Sequence, residues 1–238
     1  MPTVFNPHPK IDAVSIDGEH ACWVIDDALT DPLQLIDYAL AHRADFSMAP
    51  FNTYPGLEFH LPSEMSALQD DFFRAHIRRL LGARRTLQMY SRLSLVTLPP
   101  EKLSPIQWLC HRDRMGVPHD QCVAASVLYL FTDEDLGGTS FFKPRKPTEE
   151  TEALMRLAAD SSAEAFTAET GITRGYLLDS NEYFERVCTV PARWNRMIFY
   201  DGSLFHSPDI RAPEKLNEDF TKGRLTLNGF FTCRRAAS

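Results

Sequence analysis

The sequence lacks the marks of several broad protein classes. Its five cysteines, Cys22, Cys110, Cys122, Cys188 and Cys233, are an odd number with no C-x-x-C spacing. That excludes a zinc ribbon or a disulfide framework and reads as reduced, buried thiols of a cytoplasmic protein. Positive charge is in deficit, with 25 Lys and Arg against 32 Asp and Glu and a formal net charge of -7. A nucleic-acid partner would require a basic face or stripe. The short pairs Arg78-Arg79, Arg84-Arg85 and Arg234-Arg235 read instead as solvated faces or helix ends. Long apolar runs are missing too: the strongest, Val123 to Phe131, is too short to cross a bilayer as a helix. The N-terminal stretch Met1 to Val14 has no basic region followed by an apolar one, so it does not read as a secretory signal. Internal repeats and low-complexity linkers are also absent. These absences leave a soluble chain whose expected partner is a small molecule or peptide, with no nucleic acid and no membrane.

What is present suits one sizeable core. The chain has 238 residues, 44% of them hydrophobic and 24% charged, enough to fold without a metal or disulfide staple. The spacing divides a single domain over 1–238 into an α-helical front and a β-rich body. In the front, 20–86, Cys22 to Ile25 reads as a strand. Thr30-Asp31-Pro32 then starts a helix, and Met65 to Leu81 forms a second helix stopped by Gly82. In the body, 87–232, strands are expected over Leu87–Leu98, Ile106–His111, Val123–Phe131, Thr139–Phe142, Asn195–Tyr200, Ser203–Ser207 and Arg224–Thr232. Many short strands with Gly, Pro and Asp turns indicate a sandwich or barrel. The polar, acidic segment 147–169 breaks the rhythm and reads as a helical insert or lid.

Chemistry gathers around Cys110-His111-Arg112-Asp113. On a strand, residues two apart share a face, so His111 and Asp113 can converge on one ion. A third ligand must come from a distant strand, and His206 ends a strand–turn–strand over Phe199 to Pro208. Two imidazoles and one carboxylate are the facial set of non-haem Fe(II) oxygenases. His119, beside Asp120, is the rival to His111 if the register differs. In Gly223 to Phe230, Arg224, Thr226 and Asn228 fall on one strand face and Leu225 and Leu227 on the other. A guanidinium facing inward needs an anionic partner, and a dicarboxylate suits its fork.

Taken in order, His111-x-Asp113, Val127-Leu128-Tyr129-Leu130, Gly137-Gly138-Thr139-x-Phe141, His206 and Arg224-Leu225-Thr226 resemble the prolyl 4-hydroxylase-like branch of the iron(II)/2-oxoglutarate dioxygenases. Further matches are Leu93 to Pro100, Pro105-Ile106-Gln107, Tyr183-Phe184-Glu185-Arg186, Asn195-Arg196, His206-Ser207 and Gly223 to Thr226. With these the chain is similar, over roughly residues 20 to 232, to an uncharacterised bacterial family related to that branch. The resemblance implies a mainly β, double-stranded β-helix (jelly-roll, cupin-like) fold. It implies Fe(II) on His111, Asp113 and His206, and 2-oxoglutarate held by Arg224 with Thr226. Tyr129 or Tyr200 would touch the co-substrate, and the sequence does not choose between them. The activity implied is oxidation, usually hydroxylation, of an amino acid, a peptide or another small substrate. Two other readings stay open: a jelly-roll that only binds a ligand or protein, and a cupin-type metalloenzyme that does not use 2-oxoglutarate.

Overall fold

The computed structural model describes residues 4–48, 53–113 and 117–236. In chain order the strands are β1 (Asp12–Ser15), β2 (Ala21–Ile25), β3 (Ser47–Met48), β4 (Gly56–His60), β5 (Ala83–Val96), β6 (Gln121–Tyr129), β7 (Thr139–Pro144), β8 (Phe184–Val190), β9 (Met197–Asp201), β10 (Phe205–Pro208) and β11 (Arg224–Arg235). The helices are α1 (Leu33–Ala41), α2 (Ser63–His76), α3 (Thr148–Asp160) and α4 (Ala163–Thr170). The strands form a large sheet in the order β1-β2-β9-β6-β11-β5-β4-β3 and a small one in the order β10-β7-β8. All pairings are antiparallel. This is the mainly β, double-stranded β-helix that the resemblance implied.

Both faces of the large sheet are covered. Its outer face meets α1 and α2: Leu35, Ile36, Phe72 and Phe73 pack with Leu93, Leu95, Leu225, Leu227 and Phe231. Its inner face meets the small sheet, where Tyr129, Ile198 and Tyr200 pack with Phe141 and Val190. The insert forms a third layer. Leu154 and Ala158 of α3 and Phe166 of α4 pack on Trp108, Phe142, Phe184 and Phe205. Its two helices therefore bury an apolar side of their own, as α1 and α2 do on the other flank.

Several sequence expectations need correction. Ile106–His111 is not a strand. Ser104 and Gln107 form a capping box that winds Pro105–Trp108 into a 3-10 turn, and Leu109 resumes extended backbone. The helix expected to reach Leu81 ends at His76. A 3-10 turn, Arg78–Leu81, follows it, and Gly82 stops that turn at φ +63°. The front contributes more strands than expected: besides β2, which pairs with β9, it holds β4, which pairs with β5, so both belong to the large sheet.

Candidate metal centre

Three backbone bonds bring the candidate ligands together. His111 and His206 exchange N–H···O bonds of 2.9 Å, an isolated antiparallel bridge, and the Asp113 N–H donates to the Gly202 carbonyl at 2.8 Å. On its other side β10 pairs with β7, His206 opposite Phe141. The ligand segment is thus stitched to the edge of the small sheet without being a regular strand. Gly202 lets it approach closely: a Cβ there would meet Val123 Cγ1 at 3.1 Å and Asp113 Cβ at 3.2 Å.

One ligand atom from each of His111, Asp113 and His206 lies within 4.8 Å of the others. Asp113 Oδ1 is 3.8 Å from His111 Nε2, and Oδ2 is 3.4 Å from His206 Nε2. The His206 Nδ1 lies 2.9 Å from the Leu204 carbonyl. That contact suits an Nδ1–H donor and leaves Nε2 as the lone pair aimed at Asp113. Asp113 Oδ2 is buried with no hydrogen-bond partner. Burial pushes the Asp113 carboxyl up, against the pull of His206 and Arg92. Partial burial of the ring, with His206 and Arg92 nearby, holds His111 well below the usual imidazole range. A neutral imidazole is the form that binds a metal. The His111 side chain keeps 46% of its surface exposed, so the centre opens on that side. His119 is exposed in the turn before β6 and is not part of this cluster.

The polar residues of β11 point inward, because their neighbours Leu225 and Leu227 face α1 and α2. Arg224 is buried, and it donates through Nε to Leu136 O (2.9 Å) and Gly137 O (3.2 Å) and through Nη2 to Gly138 O (2.9 Å). These carbonyls bring no neutralising charge. The glycine pair lets the turn that offers these carbonyls pack closely on its neighbours: Gly137 has φ +83°, and a Cβ on Gly138 would lie 2.0 Å from Val190 O. Thr226 stands opposite Tyr129, whose hydroxyl lies 2.9 Å from Thr139 Oγ1. Tyr129 feels the Arg224 charge, whereas Tyr200 packs edge-on against the His206 ring at 4.7 Å and feels Asp113. The two tyrosines therefore occupy different ends of the interior, Tyr129 toward Arg224 and Tyr200 toward the metal ligands.

Sequence reasoning missed four interior groups. Glu58 and Arg92 form an ion pair (Arg92 Nε to Oε1, 2.8 Å) beside Ser94 and Asn228, which bond at 2.9 Å. Tyr54 lies against Thr226 and near Arg224, and burial pushes its phenol up to about 12. Tyr176, on the return from α4, donates to Leu98 O at 2.6 Å and also feels Arg224. Alternation over 90–96 would have put Arg92 and Ser94 on one face. Glu58 and Tyr54 gave no such signal, because β4 is short and was not read as a strand.

Fold and side chains together define a double-stranded β-helix with a two-histidine, one-carboxylate cluster. The chain belongs to a family of unknown function, DUF6445, whose model matches residues 7–231. No protein of curated function matches it. Among solved structures it is similar to SnoK, a non-haem α-ketoglutarate-dependent carbocyclase from nogalamycin biosynthesis. That match has 14% identity and a TM-score of 0.54 and covers 98% of this chain and 87% of SnoK. It establishes the shared fold. HygX from Streptomyces hygroscopicus, with nickel, 2-oxoglutarate and hygromycin B bound, matches at 13% identity and a TM-score of 0.47, covering 90% and 82%. A Pseudomonas putida prolyl-4-hydroxylase matches at 16% identity and a TM-score of 0.42, covering 92% and 95%. Among the described residues, no helix is long and apolar enough to cross a membrane.

Proposed function

We propose that this protein is an Fe(II)- and 2-oxoglutarate-dependent oxygenase that hydroxylates an amino acid, a peptide or another small substrate. The observation that carries the reading is the convergence of His111, Asp113 and His206, with a buried Asp113 oxygen that has no hydrogen-bond partner. Such an oxygen costs stability unless a cation completes it. The donor set, two imidazole nitrogens and one carboxylate, fits iron(II) with positions left open.

Bound there, iron(II) with 2-oxoglutarate would supply the oxygen activation that such oxidations need. The chain's own residues do the rest. His111, Asp113 and His206 hold the metal, and the Leu204 carbonyl fixes the His206 ring. Arg224 and Thr226 bind the far carboxylate of 2-oxoglutarate, with Tyr129 beside them. Arg224 remains anchored to the Gly137-Gly138 turn while it does so, which orients the guanidinium in advance. Tyr200 backs His206 and excludes water from that side.

The test is anaerobic addition of Fe(II) and then 2-oxoglutarate to the metal-free protein, followed by visible absorption. Chelation by the oxoacid gives a weak charge-transfer band, which the reading requires. Arg224→Met should weaken 2-oxoglutarate binding by about 3–5 kcal/mol and leave Fe(II) affinity unchanged; equal binding by wild type and variant would remove Arg224 from the site. Metal binding without a response to 2-oxoglutarate would mark a cupin-type metalloenzyme. No metal binding would mark a jelly-roll that only holds a ligand.

A further inference from the structure

The register of the large sheet lays its inner face out in rows. One row crosses four strands: Tyr200 of β9 stands opposite Ala125 of β6, Ala125 opposite Phe230 of β11, and Phe230 opposite Tyr90 of β5. The inward direction of this row follows from its neighbours, since Met89 and Phe231 pack on the helical side. The row begins at the metal ligands, with Tyr200 against His206 at 4.7 Å. It ends in the open, where Tyr90 keeps 40% of its surface exposed. Tyr90 and Phe230 are stacked, with ring centroids 4.9 Å apart and planes at 19°. The charges of Asp113 and Arg92 both act on Tyr90.

We propose that Tyr90 and Phe230 are the shelf on which the primary substrate lies, and that the group resting there is a flat, uncharged ring. The proposal deepens the oxygenase reading and rests on it. Tyr90 meets Phe230 on one side and the His60 ring, tilted by 32°, at 5.8 Å on another, and the surface it keeps exposed can take a further ring, which gains both area and quadrupole contact. Charge selects the neutral form. Arg92 sits over Phe230 at 4.7 Å from the ring centre, but Glu58 neutralises it at 2.8 Å. With Arg92 cancelled by Glu58, the shelf offers an anionic ring no net counter-charge, and such a ring would lose hydration without a partner.

Indole serves as the neutral probe and benzoate as its ionised counterpart, each followed by ligand-observed NMR on the full chain. Indole should bind wild type weakly. Tyr90→Ala should weaken it by about fivefold, as expected for loss of one aromatic contact, and Tyr90→Phe should keep it. Benzoate should bind about tenfold more weakly than indole. With Mn(II) held at the triad, checked by water relaxation, the bound indole signals should broaden. Equal binding of indole by Tyr90→Ala and wild type would overturn the shelf, as would benzoate binding as well as indole. Unbroadened indole beside a held Mn(II) would also overturn it. If wild type holds no Mn(II), the oxygenase reading fails by itself, and the Tyr90 variants still decide the shelf.

Discussion

The two faces of β11 are both buried, yet they are made of opposite materials. Leu225, Leu227 and Phe231 point to α1 and α2, whereas Arg224, Thr226 and Asn228 point into the space between the sheets. An ordinary half-buried strand puts its apolar face toward the core and its polar face toward water. Here Arg224, Thr226 and Asn228 are buried as well. A buried guanidinium adds little net stability, because desolvation offsets most of what its hydrogen bonds return. Under the proposed function the polar face is explained by the co-substrate it would bind, and the apolar face carries the fold. Glu58, Arg92 and Ser94 extend the polar face across β4 and β5, so the division belongs to the sheet and not to one strand.

Substitutions on each face should break different things. The largest effect is expected at the metal ligands: His206→Ala should lower Fe(II) affinity on the order of a hundredfold or more by anaerobic calorimetry. The chain should stay folded, since its core does not depend on a metal. Phe231→Ala does the reverse. This ring is fully buried and stacks on Phe73 at 4.1 Å. Its loss should cost about 3–5 kcal/mol in denaturant unfolding and leave metal affinity of the folded protein unchanged. If Phe231→Ala weakened metal binding at full folding, the two faces would not be separable. Asp113→Asn sharpens the comparison further. It removes a buried charge whose Oδ2 has no hydrogen-bond partner, so the metal-free protein should gain on the order of 1 kcal/mol while Fe(II) affinity falls. Equal or lower stability of the metal-free variant would mean that the unpartnered Asp113 oxygen costs nothing to maintain.

The same division explains what the sequence made legible. Hydrophobic spacing marked the elements whose burial is apolar: α1, β6, β9 and β11 lie within a few residues of their expected places. The alternation in β11 is visible in the sequence, but its inward direction comes from the chemistry of Arg224 and Thr226 and not from spacing, since polar residues in a strand normally face water. The two coverings, helices outside and a second sheet inside, decide it. The segment before His111 misled because Pro105 to Trp108 is apolar enough for a strand, while the local bonds of Ser104 and Gln107 wind it into a turn. His111 and Asp113 meet His206 through backbone pairing with a strand over ninety residues away, which no local spacing encodes. Tyr90, Arg92 and Phe230 looked like ordinary strand residues because their meaning lies in the cross-strand register.

The smallest effect is expected at the solvent edge of the same sheet, where the contrast between faces fades. Asp26 ends the β2 side and Arg196 precedes β9, and the two side chains meet in a fork at 2.6 and 3.0 Å, with Arg193 adding a contact at 3.1 Å. The Arg196 hydrogen bonds hold the Asp26 carboxyl below its usual range, against a smaller opposing effect of burial. A depressed carboxylate contributes stability above the pKa of the unfolded chain, about 3.9, and loses it as the pH falls through the folded value. Asp26 is more than a third exposed, so solvent screens much of the pair. Asp26→Asn should therefore cost about 1 kcal/mol or less at pH 7, less again at high salt. Denaturant curves of the two proteins should converge as the pH drops below about 4. A difference that stayed constant down that range would assign the contribution to packing of the fork and not to its charge, and the sheet edge would then behave like the outer face of β11.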